Sequence, residues 1–112
     1  MDLRLLETTP FANVISFSGS LDIAGVQEIE MEFTRMTATD KSVIIDMSDV
    51  SFIASLGLRM LLSSAKRLDS GGFKMVLLNP QDSIASVLNI AGLDTIIPIV
   101  DDLDAALKKV QS

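Results

Sequence analysis

The sequence has no cysteine, no histidine, no tryptophan and no tyrosine. Without cysteine there is no disulfide framework and no thiolate nucleophile. Without histidine the commonest zinc ligand is missing, and every Ser-His-Asp or Cys-His arrangement is excluded. Positive charge is also scarce: nine Lys and Arg stand against fifteen Asp and Glu, for a net charge of −6. The nine cations are scattered, so no basic face is expected for nucleic acid or for an anionic membrane surface. No apolar run approaches the length of a bilayer span. The start, MDLRLLETTP, lacks a basic segment leading into a long apolar one, so neither export nor membrane insertion is expected and a cytoplasmic location is.

What the chain does have is apolar residues, 48% of its 112 positions. That is enough for one core without metal or disulfide staples, and one domain over residues 1–112 is expected. Leu3 to Glu7 and Ala12 to Ser18 read as strands joined by a Thr9-Pro10 turn, close enough to pair as an antiparallel hairpin. From Asp22 to Thr37 the period changes, with Val26, Ile29, Phe33 and Met36 on one helical face and Asp22 placed to cap it. Val43-Ile44-Ile45 is a β-branched run suited to a buried parallel strand. Leu58, Leu61, Leu62, Ala65 and Leu68 mark a second helix, stopped by Gly71-Gly72.

Met75 to Leu78 is a further strand, broken by Asn79-Pro80. Ile84, Val87, Leu88 and Ala91 give a short third helix closed by Gly92. Thr95 to Val100 reads as a last strand, with Pro98 arguing for an edge. Asp101 and Asp102 open a final helix carrying Leu103, Leu107 and Val110, and Lys108 and Lys109 close it. The expected fold class is α/β: a mostly parallel sheet with an N-terminal antiparallel hairpin and about four helices.

In such a sheet the segments leaving the carboxyl ends of parallel strands gather on one edge, where ligands and partners meet the fold. Three qualify: Gly19 to Asp22, Asp46 to Ser55, and Leu78 to Gln81. They bring together Asp22, Asp46, Asp49 and Ser55. By spacing alone, Asp22 is a helix cap, Asp46 a bond to nearby backbone, and Ser48 and Asp49 turn residues. Ser55 alone reads as the N-cap of the second helix. A catalytic role has no support. Ser55 has no base near it in sequence, there is no Gly-rich phosphate cradle, and no acidic loop has the spacing of a cation site. No enzyme, no cofactor and no metal are expected.

The stretch IIDMSDVSFIASLGLRMLLSSAKRL resembles the signature of STAS domains. The likeness is greatest to the anti-sigma-factor antagonists of bacterial partner-switching systems, the stage II sporulation antagonists among them. The matching positions are Asp46, Ser48, Val50, Phe52, Ile53, Ser55, Gly57 and Leu58. FSGSLDIAGV and the tail SVLNIAGLDTIIPIVDDLDAAL also resemble the family. Ala54 stands where the family usually has Asp, and Leu56 where it often has a small or hydroxyl residue. The resemblance implies a STAS-like domain with Ser55 as phosphoacceptor. It implies an anti-sigma factor that is also a serine kinase as partner, and a phosphatase that resets the switch. The residues expected to meet that partner are Asp22, Ala54, Ser55, Leu56, Gly57 and Arg59. The alternative is an accessory STAS subunit that docks on a transporter or ATPase component without phosphorylation.

Overall fold

The structure is a computed structural model and describes residues 1–111. Five strands form one sheet in the order β1-β2-β3-β4-β5, with β1 (Asp2–Thr8) antiparallel to β2 (Ala12–Leu21). The pairs β2 with β3 (Ser42–Ile53), β3 with β4 (Met75–Leu78) and β4 with β5 (Ile99–Val100) are all parallel. The helices are α1 (Ile23–Thr37), α2 (Ser55–Ser70), α3 (Asp82–Ile90) and α4 (Leu103–Gln111). The hairpin, the parallel remainder and the four helices agree with the sequence reading.

The alternation of β2 divides the core into two layers. Ile15 and Phe17 face one side, where Val26, Ile29 and Phe33 of α1, Leu61 and Leu68 of α2 and Leu88 of α3 close over the sheet. Phe17 and Phe33 meet there edge to face, with ring centroids 5.3 Å apart. On the other side Ala12, Val14, Ile44 and Val76 lie beneath α4, which contributes the fully buried Ala106. Of the residues expected on the inner face of α4, Leu107 and Val110 pack on this smaller cluster, while Leu103 is exposed.

Two elements differ from expectation. The first is β3, which does not give way to a loop at Asp46 but runs on to Ile53. Ser16 pairs with Asp46 and Ser18 with Asp49, and Gly19 pairs with Val50 and Ser20 with Phe52. At each step β3 carries one residue more than β2, so it bulges twice without leaving the sheet. Ser48 and Asp49, which read as turn residues, therefore sit at a bulge.

The second is the Thr95 to Val100 segment. A 3₁₀ turn occupies Leu93–Thr95, and the strand is reduced to Ile99–Val100. Gly92 adopts φ +79°, a left-handed conformation that favours glycine, and the Thr95 hydroxyl donates to its carbonyl at 2.7 Å. Ile96 N and Ile97 N both donate to Leu93 O, at 3.0 and 2.8 Å, so these amides are used within the turn and not in the ladder with β4. Pro98 lies beside β5 at the sheet edge, where its lack of an N–H costs nothing and its carbonyl accepts from Leu77 N at 2.9 Å.

Candidate functional site

The first turns of α1 and α2 start side by side at the carboxyl ends of β2 and β3. Asp22 caps α1: its Oδ1 accepts from Gly25 N at 2.7 Å, and its carbonyl accepts from Val26 N. The residue at the cap of α2 is Ala54, not Ser55, so the expectation that Ser55 caps the helix is corrected. Ala54 has extended backbone angles, its carbonyl accepts the first helical bond from Leu58 N at 3.0 Å, and its own N–H donates to Leu21 O at 3.0 Å. Alanine has no side-chain oxygen, so α2 begins with no side-chain cap.

Ser55 is the first residue of α2 and is exposed. Its hydroxyl forms no hydrogen bond with any described residue. Leu56, next in sequence, is half-buried and packs against the main core. Its bulk leans into the protein and leaves the serine open. Gly57 is buried under Leu21. Arg59 is exposed on the outer side of α2, where it lines a groove of about 230 Å³ between α1 and α2.

Two contacts tie the three segments into one edge. The Leu21–Ala54 hydrogen bond joins the ends of β2 and β3. Gln81, in the connection after β4, donates from Nε2 to Ser48 O at 2.9 Å. The acidic residues of this edge do not converge. Asp22 is occupied as a cap, Asp46 accepts from Ser48 N at 3.0 Å across the first bulge, and Asp49 is exposed. Among the described residues no three acidic side chains gather at one point, and no helix is long and apolar enough to cross a membrane.

Sequence reasoning missed two residues of this edge. Phe52 and Ile23 are 53% and 61% exposed, next to the segments that hold Ser55 and Asp22. Phe52 belongs to the motif, but only the second bulge of β3, which lies between Val50 and Phe52, accounts for its exposure. Ile23 follows the Asp22 cap directly and lies outside the Val26, Ile29, Phe33 and Met36 face by which the helix is read.

The model of the STAS domain family matches residues 4–106. A protein from Thermotoga neapolitana named as a candidate anti-sigma factor antagonist is 33% identical over 69 residues. That match takes in 62% of this chain and 61% of the relative's own length. A solved anti-sigma factor antagonist from Mycobacterium paratuberculosis superposes with a TM-score of 0.85 at 25% identity, covering 99% of this chain and 96% of that one. The antagonist SpoIIAA shares the fold at 23% identity. Its unphosphorylated form gives a TM-score of 0.80 over 98% of this chain and 96% of that one, and the phosphorylated Bacillus form gives 0.72 over 97% and 99%.

Proposed function

The chain belongs to the STAS domain family, and from that premise we propose that it is an anti-sigma-factor antagonist whose binding is switched by phosphorylation of Ser55. The partner is an anti-sigma factor with serine-kinase activity. In its unmodified form the antagonist holds that partner and frees a sigma factor. A phosphatase returns the phosphorylated form to service. The protein is a cytoplasmic binding module and a kinase substrate, not a catalyst.

One observation carries the reading. Ser55 presents an exposed, uncommitted hydroxyl at the edge where β2, β3 and the first turns of two helices meet. A serine needed for capping would have its oxygen turned onto a helix amide, and Ala54 occupies that position instead. The exposed Ile23 and Phe52 supply apolar surface beside the hydroxyl, the composition expected of the centre of a contact patch.

The switch is local. Phosphorylation adds about −1.5 to −2 charge and three acceptor oxygens. At the start of a helix that charge is tolerated by the fold, because the helix dipole favours an anion there. The partner surface does not tolerate it. A unit charge about 5 Å from a partner carboxylate at effective dielectric near 20 costs roughly 3 kcal/mol, which is about two decades of affinity.

The test is binding of the Ser55→Asp and Ser55→Ala proteins to the kinase-type anti-sigma factor encoded in the same genome. Loss of binding with aspartate and retention with alanine is the expected result. Equal binding by both variants would sink the switch. Neither variant binding a kinase, with co-purification of a transporter or ATPase subunit, would move the protein to the accessory-subunit role.

A further inference from the structure

We propose that Arg59 is the residue that receives the phosphate on Ser55, so that the modification site is the pair Ser55 and Arg59. The inference rests on the reading of Ser55 given above and adds the group that would hold its modified form.

Arg59 stands four residues after Ser55 on the continuous helix α2. At that spacing the two side chains share one face and lie about 6 Å apart along the axis. Helical side chains lean toward the N-terminus, and a guanidinium at this spacing reaches a phosphate on Ser55 by swinging out of the α1–α2 groove that it lines. Both residues are exposed, and the Arg59 side chain makes no ion pair or hydrogen bond with any described residue. The second arginine of the same groove is already engaged: Arg67 Nη2 donates to Thr37 Oγ1 at 2.7 Å and to Ser64 Oγ at 3.4 Å. Glu30 also lines the groove, but it forms no ion pair with Arg59. Arg59 is therefore an uncommitted guanidinium one turn beyond an uncommitted hydroxyl.

The chemistry fits. A guanidinium presents parallel N–H donors that match two phosphate oxygens at once. Before modification Arg59 offers a positive charge to whatever meets the α1–α2 groove. After a kinase transfers the γ-phosphoryl group of its nucleoside triphosphate to Ser55 Oγ, the nucleoside diphosphate leaving and the hydroxyl proton passing to the kinase's base, that charge is taken up within the same molecule. The net charge added is that of the phosphate alone, but the pairing withdraws the cation that faced the groove and offsets part of the new anion, so the partner meets a rearranged charge pattern.

The experiment installs phosphoserine at position 55 by genetic encoding and follows its ³¹P resonance through a pH titration. The same titration is run on the phosphorylated Arg59→Gln and Arg59→Lys proteins. An unperturbed phosphoserine has a second pKa of about 6. The expected result is a midpoint below that value in the parent protein, raised by Arg59→Gln and brought part of the way back by Arg59→Lys. The Arg59 Nε–H resonance should move with the same midpoint. Equal midpoints in the parent and Arg59→Gln proteins, or an Arg59 resonance that ignores the titration, would overturn the proposal. Because the phosphate is installed without a kinase, failure of the cognate kinase to modify Ser55 would count against the switch and leave this measurement intact.

Discussion

Gly57 sits so close beneath Leu21 that a Cβ placed on it would stand 2.8 Å from both the Leu21 carbonyl oxygen and the Leu21 side chain. This approach, together with the Leu21–Ala54 hydrogen bond, fixes the first turn of α2 against the end of β2. The position of Ser55 is thus set by a glycine two residues away. Gly57→Ala should lower stability by about 1–2 kcal/mol, because the overlap outweighs the gain in helix propensity. Urea unfolding checks it, and a neutral result would mean that Leu21 has room to shift.

The cap of α1 gives a second test. Asp22→Ala should lower stability by about 1 kcal/mol, and Asp22→Asn should recover most of it, since either oxygen accepts from Gly25 N. For a chain of this size about 1 kcal/mol corresponds to a fall of roughly 4 °C in Tm. A cap mutant with unchanged Tm would show that α1 is held by packing alone.

Ser55→Asp should leave Tm unchanged or raise it slightly, because an acidic group in the first turn of a helix is favoured by about 0.3–1 kcal/mol. Thermal unfolding of the aspartate and alanine variants therefore separates a surface effect from a folding defect. A clear drop in Tm for Ser55→Asp would mean that loss of binding reports damage to the fold.

Asn79 is the one non-glycine among the described residues with positive φ, at 53°. Its N–H donates to Val100 O at 2.7 Å, which anchors the end of β4 against β5. Asn79→Gly should be close to neutral, and Asn79→Val should cost about 1–2 kcal/mol because a β-branched residue resists the left-handed region. Equal stability of the two variants would contradict the backbone angle.

The sheet, its hairpin and all four helices were legible because each depends on periodicity over many residues. The Asp22 cap, the Gly71-Gly72 stop and the Met75 to Leu78 strand were legible for local reasons of residue type. What escaped was set by pairing between distant segments. The continuation of β3 through Ser48 and Asp49 depends on β2 accepting two extra residues across the ladder, which no property of the β3 sequence announces. The loss of most of β5 follows from a local turn in which Ile96 and Ile97 donate to Leu93 O. At the site, the resemblance singled out Ser55, but its place as first helical residue instead of cap depends on Ala54 taking the bond from Leu58. The exposure of Phe52 follows from the second bulge.

The sheet order β1-β2-β3-β4-β5 is also the order of synthesis. Each strand after β1 pairs with the strand that precedes it in the chain. No strand must be inserted between two others, and each parallel return closes over a single helix, which keeps the separation of paired segments short. Such a sheet can assemble by accretion, with β2, β3 and the helices between and after them in place before β5 has been translated.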